Sequence, residues 1–255
     1  MKIAIVGKGG VGKTTLTALL AGYLSEQGRS VIAVDADPVA NLAAALGLPD
    51  GHETTPIAEM AELIEERTGS KKGYGQFFQL NPRVDDLPER FCQTVGGIRL
   101  LVLGGVASGG SGCFCPESAI LKALVTHLLL RHDEVVLLDM EAGIEHLGRA
   151  TAGAVSSMIA VVEPGMRSVR AAHTIHRLAS EIGISRVSAV INRVRPDTDI
   201  DAITAALSPL PVVATLPYDA DIARADMHTQ AVYTGSQAQK AAMEKLLAVV
   251  TEDEG

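Results

Sequence analysis

Gly7-Lys8-Gly9-Gly10-Val11-Gly12-Lys13-Thr14-Thr15 follows the apolar run Lys2-Ile3-Ala4-Ile5-Val6 and precedes an apolar stretch of helical character, Leu16 to Ser25. The run before it, rich in β-branched residues, reads as a buried parallel strand. Strand, glycine loop and helix together are the context that a phosphate-binding P-loop requires. Glycines let the backbone turn tightly with its N–H groups pointing inward, and the helix N-terminus adds a positive dipole. Lys13 is expected to reach the β- and γ-phosphates, and the Thr14 hydroxyl to ligate Mg²⁺. Gly7, Gly9 and Gly12 also satisfy the dinucleotide pattern G-x-G-x-x-G, with Asp35 roughly where a ribose-binding acid would stand. Lys13-Thr14 directly after the last glycine decides for a nucleoside triphosphate.

Working outward, strand and helix signals alternate along all 255 residues. Strands are expected at Ser30 to Val34, Ile98 to Leu103, Glu134 to Leu138 with Asp139 at its end, Ser157 to Val162, Arg186 to Ile191 and Val212 to Leu216. Helices are expected at Asn41 to Leu46, Pro56 to Arg67, from Pro116 to about Leu130, near Ser168–Ile182, at Ile200–Leu207 and at Gln237 to Val250. Gly73 to Gly97 is irregular and reads as a hairpin or an Ω-like excursion, and Gly104 to Gly112 as a glycine-rich loop. Repeated strand–helix units predict an α/β fold: a single-domain P-loop NTPase over 1–255, its mostly parallel sheet covered by helices on both faces. In such sheets ligands lie beyond the carboxyl ends of the strands, where all the motifs fall.

Composition narrows the function. Apolar residues make up 47% of the chain, enough for a sizeable core. No stretch reads as a membrane span or a signal peptide, so the expectation is a cytoplasmic protein. A formal net charge of −8, no Trp and only one lysine pair, Lys71-Lys72, argue against nucleic-acid binding. Three cysteines in such a chain suggest thiol or metal chemistry rather than a disulfide framework.

Asp139 ends the apolar run Val135-Val136-Leu137-Leu138, a Walker B pattern that places a carboxylate beside the Mg²⁺ shell. Gly143 is positioned to offer its backbone N–H to the γ-phosphate, so that its loop would order before hydrolysis and release after it. Asp35 and Asp37 end the second strand. Asp37 is expected to orient the attacking water or a Mg²⁺-bound water, and Asp35 to play a structural or supporting part. Lys8 need not reach its own nucleotide and can project towards a partner subunit's phosphates.

With Lys8, Asp35-Ala36-Asp37-Pro38 and Asp139 to Gly143, the chain resembles the deviant-Walker-A ATPases of the MinD, ParA and nitrogenase-iron-protein class over essentially its whole length. The resemblance implies a homodimer in which Lys8 contacts nucleotide across the ATP-bound interface and Asp37 supports hydrolysis. It further implies that Asn192, in Val190-Ile191-Asn192-Arg193, and Pro217-Tyr218 hold the adenine, with the Asn192 amide reading its edge.

Cys113-Phe114-Cys115 is the discriminating feature. Two thiols at i and i+2 in an extended segment point to one side. Pro116 suits the first position of a helix, whose N-terminus favours thiolate. Two thiolates are half of a four-ligand soft-metal site, and Cys92 alone cannot complete it; a symmetric dimer would. With these residues the chain resembles the CooC-type ATPases. That resemblance implies ATP and Mg²⁺ as cofactors and nickel, or zinc in the same site, held by Cys113 and Cys115 across the dimer. The implied client is carbon monoxide dehydrogenase, or acetyl-CoA synthase for close paralogues. Glu141 departs from the pattern, which expects a small residue there. Two other functions are weighed. One is an iron–sulfur reductase or scaffold like the nitrogenase iron protein. The other is a MinD/ParA-type positioning ATPase, which leaves Cys113 and Cys115 without a purpose. His173 and His176, at i and i+3 on one helix, could share a ligand face but more often serve packing. His146 is given a supporting role at most.

Overall fold

The computed structural model describes residues 1–48, 54–70, 77–104, 115–131, 134–141, 154–228, 230–232 and 235–252. The first strand, β1 (Lys2–Gly7), lies inside an eight-stranded sheet. Its neighbours are β5 (Val135–Asp139) on one side and β6 (Ser157–Val162) on the other, both parallel to it. Beyond β5 come β2 (Val31–Asp35), β4 (Ile98–Val102) and the short antiparallel edge strand β3 (Gln93–Val95). Beyond β6 come β7 (Val187–Val194) and β8 (Val212–Pro217). Every pairing except that of β3 with β4 is parallel.

Alternation along the strands builds two cores. Ile3 and Ile5 of β1 face one side. There they pack with Leu16, Leu20 and Leu24 of α1 (Lys13–Glu26) and Met243, Leu246 and Val250 of α9 (Gln237–Glu252). Ala4 and Val6 face the other side. There they join Ile120, Leu124 and Leu128 of α5 (Pro116–Arg131) and Val169, Ala172, Ile175 and Ala179 of α6 (Met166–Ile182). Strands buried on both faces therefore read as continuous apolar runs, which is why their positions were legible. α2 (Leu42–Ala45) follows β2, α7 (Ile200–Leu207) precedes β8, and α8 (Ala220–Met227) follows it.

Two expectations need correction, and a third, the hairpin alternative for 73–97, is met and gains a helix. Pro56 to Arg67 is not one helix: a 3₁₀ turn, Ile57–Glu59, breaks at Met60 before α3 (Ala61–Thr68). The Ala58 N–H donates to the Leu103 carbonyl at 3.0 Å, so this segment is tied to the end of β4 instead of continuing its own helical ladder. The irregular stretch holds α4 (Leu87–Phe91), followed by the hairpin of β3 and β4 turning at Gly96-Gly97. β7 runs to Val194, past Ile191, so Asn192 and Arg193 lie within the strand instead of at its end.

Candidate nucleotide site

The phosphate loop is held in shape by glycine. Gly10 and Gly12 adopt φ of +84° and +90°, in the left-handed region that L side chains avoid. A Cβ at Gly12 would also lie 2.2 Å from Asn192 Nδ2, so both backbone and space require glycine there. Gly12 caps α1, whose first N–H groups point into the loop. Lys8 is exposed and lines an open hollow with Gly9, Glu163, Gly165, Met166 and Arg167. Lys13 is buried at 5% exposure, and its Nζ lies 3.5 Å from Asp37 Oδ2.

Asp35 and Asp139 are register partners on β2 and β5 and are fully buried. Asp35 accepts main-chain hydrogen bonds from Asp37 (3.2 Å), Asn41 (2.9 Å) and Leu42 (2.8 Å). It organises the turn that carries Asp37. Burial nevertheless outweighs those bonds and pushes its carboxyl up to about 6. Asp139 is pushed up to about 7, again chiefly by burial, with the charge of Asp35 adding to it. The Thr14 hydroxyl and Lys13 favour its charged form. Neither Asp139 oxygen accepts a hydrogen bond of normal geometry from the described residues. A buried, acceptor-only carboxylate beside a hydroxyl and below a phosphate loop is a donor set suited to a hydrated hard cation, so these residues fit Mg²⁺.

A hollow of about 230 Å³ opens on the far side of the loop, lined among others by Thr15, Asn192, Arg193, Pro217, Tyr218 and Gln239. Its walls come from α1, the ends of β7 and β8, α8 through Ile222, Ala223, Asp226 and Met227, and α9. Its size and mixed lining suit a base and sugar. The Asn192 amide faces the loop: Nδ2 donates to the Val11 carbonyl at 2.8 Å, and Oδ1 accepts from the Arg193 N–H at 2.9 Å. Tyr218 lies under the Arg195 guanidinium, 4.2 Å from ring centre to Cζ.

Cys115 sits just before Pro116, the first residue of α5, and its Sγ accepts the Ser118 N–H at 3.4 Å. The thiol therefore caps a helix N-terminus, where negative charge on sulfur is stabilised. Cys113, Gly143 and His146 lie outside the described residues, as does most of the glycine-rich loop before Cys113. Cys92 lies just before β3, beside Arg99; burial pushes its thiol up to about 11, which keeps it protonated. His173 and His176 do not share a ligand: the His173 ring bonds the Ala206 carbonyl at 2.9 Å, while His176 lines a hollow with Arg186, Pro209 and Val249.

Glu163 and α8 went unread in the sequence. Glu163 follows β6 directly, at the same carboxyl edge as Asp139, and that position was its only signal. α8 has no fully buried residue and spans only eight, so the half-buried pair Ile222 and Ala225 leaves too short an apolar period to read. Among the described residues no helix is long and apolar enough to cross a membrane.

Residues 2–232 match the family described as the CobQ/CobB/MinD/ParA nucleotide binding domain. The chain is 43% identical over 257 residues to the carbon monoxide dehydrogenase accessory protein CooC of Rhodospirillum rubrum, covering 100% of this chain and 98% of that protein. It is also 43% identical to an uncharacterised ATP-binding protein of Methanocaldococcus jannaschii, covering 94% of each. The septum site-determining protein MinD of Pyrococcus horikoshii, solved with Mg-ADP, superposes with a TM-score of 0.67 at 22% identity, covering 100% of this chain and 97% of that one. The MinC:MinD complex of Aquifex aeolicus gives 0.69 at 18%, covering 97% and 96%. These two likenesses speak to the fold. Phosphate loop, buried carboxylates and full-length identity agree: the chain belongs to the CobQ/CobB/MinD/ParA nucleotide-binding family, in its CooC-type branch.

Proposed function

We propose that the chain, residues 1–255 acting as one unit, is an ATP-hydrolysing metallochaperone that dimerises and delivers nickel to carbon monoxide dehydrogenase. The observation that carries the reading is Cys115 capping α5 through its sulfur, two residues after Cys113, in a chain that shares 43% identity with a CooC protein. Two chains would supply four thiolates to one soft metal ion, nickel or zinc, as cargo.

The ATP phosphates are taken by the N–H groups of Gly7 to Thr15, with Lys13 as the mobile cation. Thr14 and Asp139 would hold Mg²⁺, which, when bound, neutralises charge on the phosphates. Lys13 and Asp37 are paired at 3.5 Å, so an incoming triphosphate competes for Lys13 and frees the Asp37 carboxylate to orient the attacking water. Gly143 completes the γ-phosphate contacts. Adenine lies in the hollow beside Asn192, Arg193 and Pro217, and Lys8 reaches across the dimer. Hydrolysis loosens the dimer and releases the metal.

Metal analysis of the purified chain tests this. The wild type is expected to bind close to one nickel or zinc per dimer. Cys113→Ala/Cys115→Ala should lose that metal and keep ATP binding. Retained stoichiometric metal in the double variant would sink the reading, and a visible charge-transfer band in the anaerobic protein would turn it towards an iron–sulfur role.

A further inference from the structure

β7 carries an irregularity at the functional edge of the sheet. Ile191 is paired with Thr215 and Val194 with Pro217, so three steps along β7 match two along β8. The extra residue falls at Asn192-Arg193, and Arg193 has φ of +56°, the sole described non-glycine residue with positive φ. Such bulges re-aim side chains beside functional sites, and a strained residue persists only when its surroundings hold it. Here the bulge sends two consecutive side chains to two consecutive loop carbonyls. Asn192 Nδ2 donates to Val11 O at 2.8 Å, and Arg193 Nη1 donates to Gly10 O at 3.0 Å. The same Nη1 also donates to Glu163 Oε1, which fixes the guanidinium from the β6 side.

We infer that Arg193 is a positioning residue for the phosphate loop: it holds the Gly10 carbonyl outward so that the neighbouring N–H groups face the phosphates. The tethered peptide unit is Gly10–Val11, and its N–H, on the side opposite the held carbonyl, turns inward to the Lys8 carbonyl at 3.4 Å, closing the Lys8–Val11 turn that sets the loop's shape. Unheld, the Gly10–Val11 peptide can turn about the glycine's ψ, because Gly10 has no side chain to resist it. Arg193 thus acts through the loop rather than by touching the base or sugar, although it also borders the base-side hollow.

This inference rests on the nucleotide-binding reading of the loop, and the test separates the two. Equilibrium binding of ATP and of inorganic tripolyphosphate, which has phosphates and no base, is measured by calorimetry with Mg²⁺. Arg193→Ala and Arg193→Gly are expected to lose about tenfold for both ligands, as removal of a charged hydrogen bond predicts. Arg193→Lys, which keeps one tether, should retain part of the affinity and covers the case in which the others fail to fold. Tyr218→Ala, on the base side, should weaken ATP alone. Loss of ATP affinity with unchanged tripolyphosphate binding in the Arg193 variants would overturn the inference while leaving the nucleotide reading intact. Wild-type affinity in Arg193→Gly would overturn it too, since backbone conformation would then suffice. A wild-type chain that binds neither ligand would overturn both.

Discussion

At Asp139 the needs of folding and of function oppose each other. Its carboxylate is buried without a well-formed hydrogen bond, and its neighbour across the register, Asp35, adds like charge. Folding raises both acids, to about 7 and about 6, so the folded chain holds protons that the unfolded chain has released. Their contribution is fully present below the unfolded value near 4 and is lost as pH rises through the folded values. Urea unfolding of the ligand-free chain is therefore expected to show stability falling by on the order of 4 kcal/mol between pH 5 and 8. Mg-ATP should flatten that slope, and Asp139→Asn should flatten it in part while abolishing hydrolysis. A flat profile in the free wild type would contradict this account. Lys13, Thr14 and Asp139 were legible because motif spacing names them. The Lys13–Asp37 pair and the turn of Asn192 towards Val11 were not, since both depend on how separate strands end in space.

At the scale of elements, α6 and α7 are joined by the His173 ring on the Ala206 carbonyl. That bond caps one of the last carbonyls of α7, which has no partner within its own helix. His173→Leu is expected to lower stability by about 1 kcal/mol and to leave metal content unchanged, as denaturation and metal analysis of the same preparation would show. Elements were readable wherever both faces of a strand are buried. β6 matches its expected bounds, and α7 does too. Where tertiary bonds override local preference the pattern misleads: the bond from Ala58 to Leu103 splits what reads as one helix. α8 is eight residues long and only half-buried on the face of Ile222 and Ala225, so its apolar stripe is too short to read. The β7 bulge is likewise invisible, because Val-Ile-Asn-Arg-Val is an unremarkable strand sequence until β8 fails to match it step for step.

At the scale of the molecule, the sheet places the phosphate loop, Asp35, Asp37, Asp139, Glu163 and Asn192 along one edge, on five adjacent strands. Lys8 stands on that edge, exposed, with an open hollow of about 470 Å³ beside it. Under the proposed function this exposed cation serves the nucleotide of a second copy. Lys8→Ala is expected to bind the ATP analogue and remain a monomer under light scattering, while the wild type with analogue doubles in mass. A variant that still dimerises would remove Lys8 from the interface. One further property follows from α9, which comes after every other described element in chain order. It packs over β8 and beside α1 with Met243, Leu246 and Leu247, pairs Lys240 with Glu26 at 2.7 Å, and lends Gln239 to the base-side hollow. Until residues 237–252 are in place, part of the helix behind the phosphate loop stays wet and the base-side hollow lacks Gln239. Nucleotide capture then waits on the docking of α9, so the helix that closes this side of the core also completes the site.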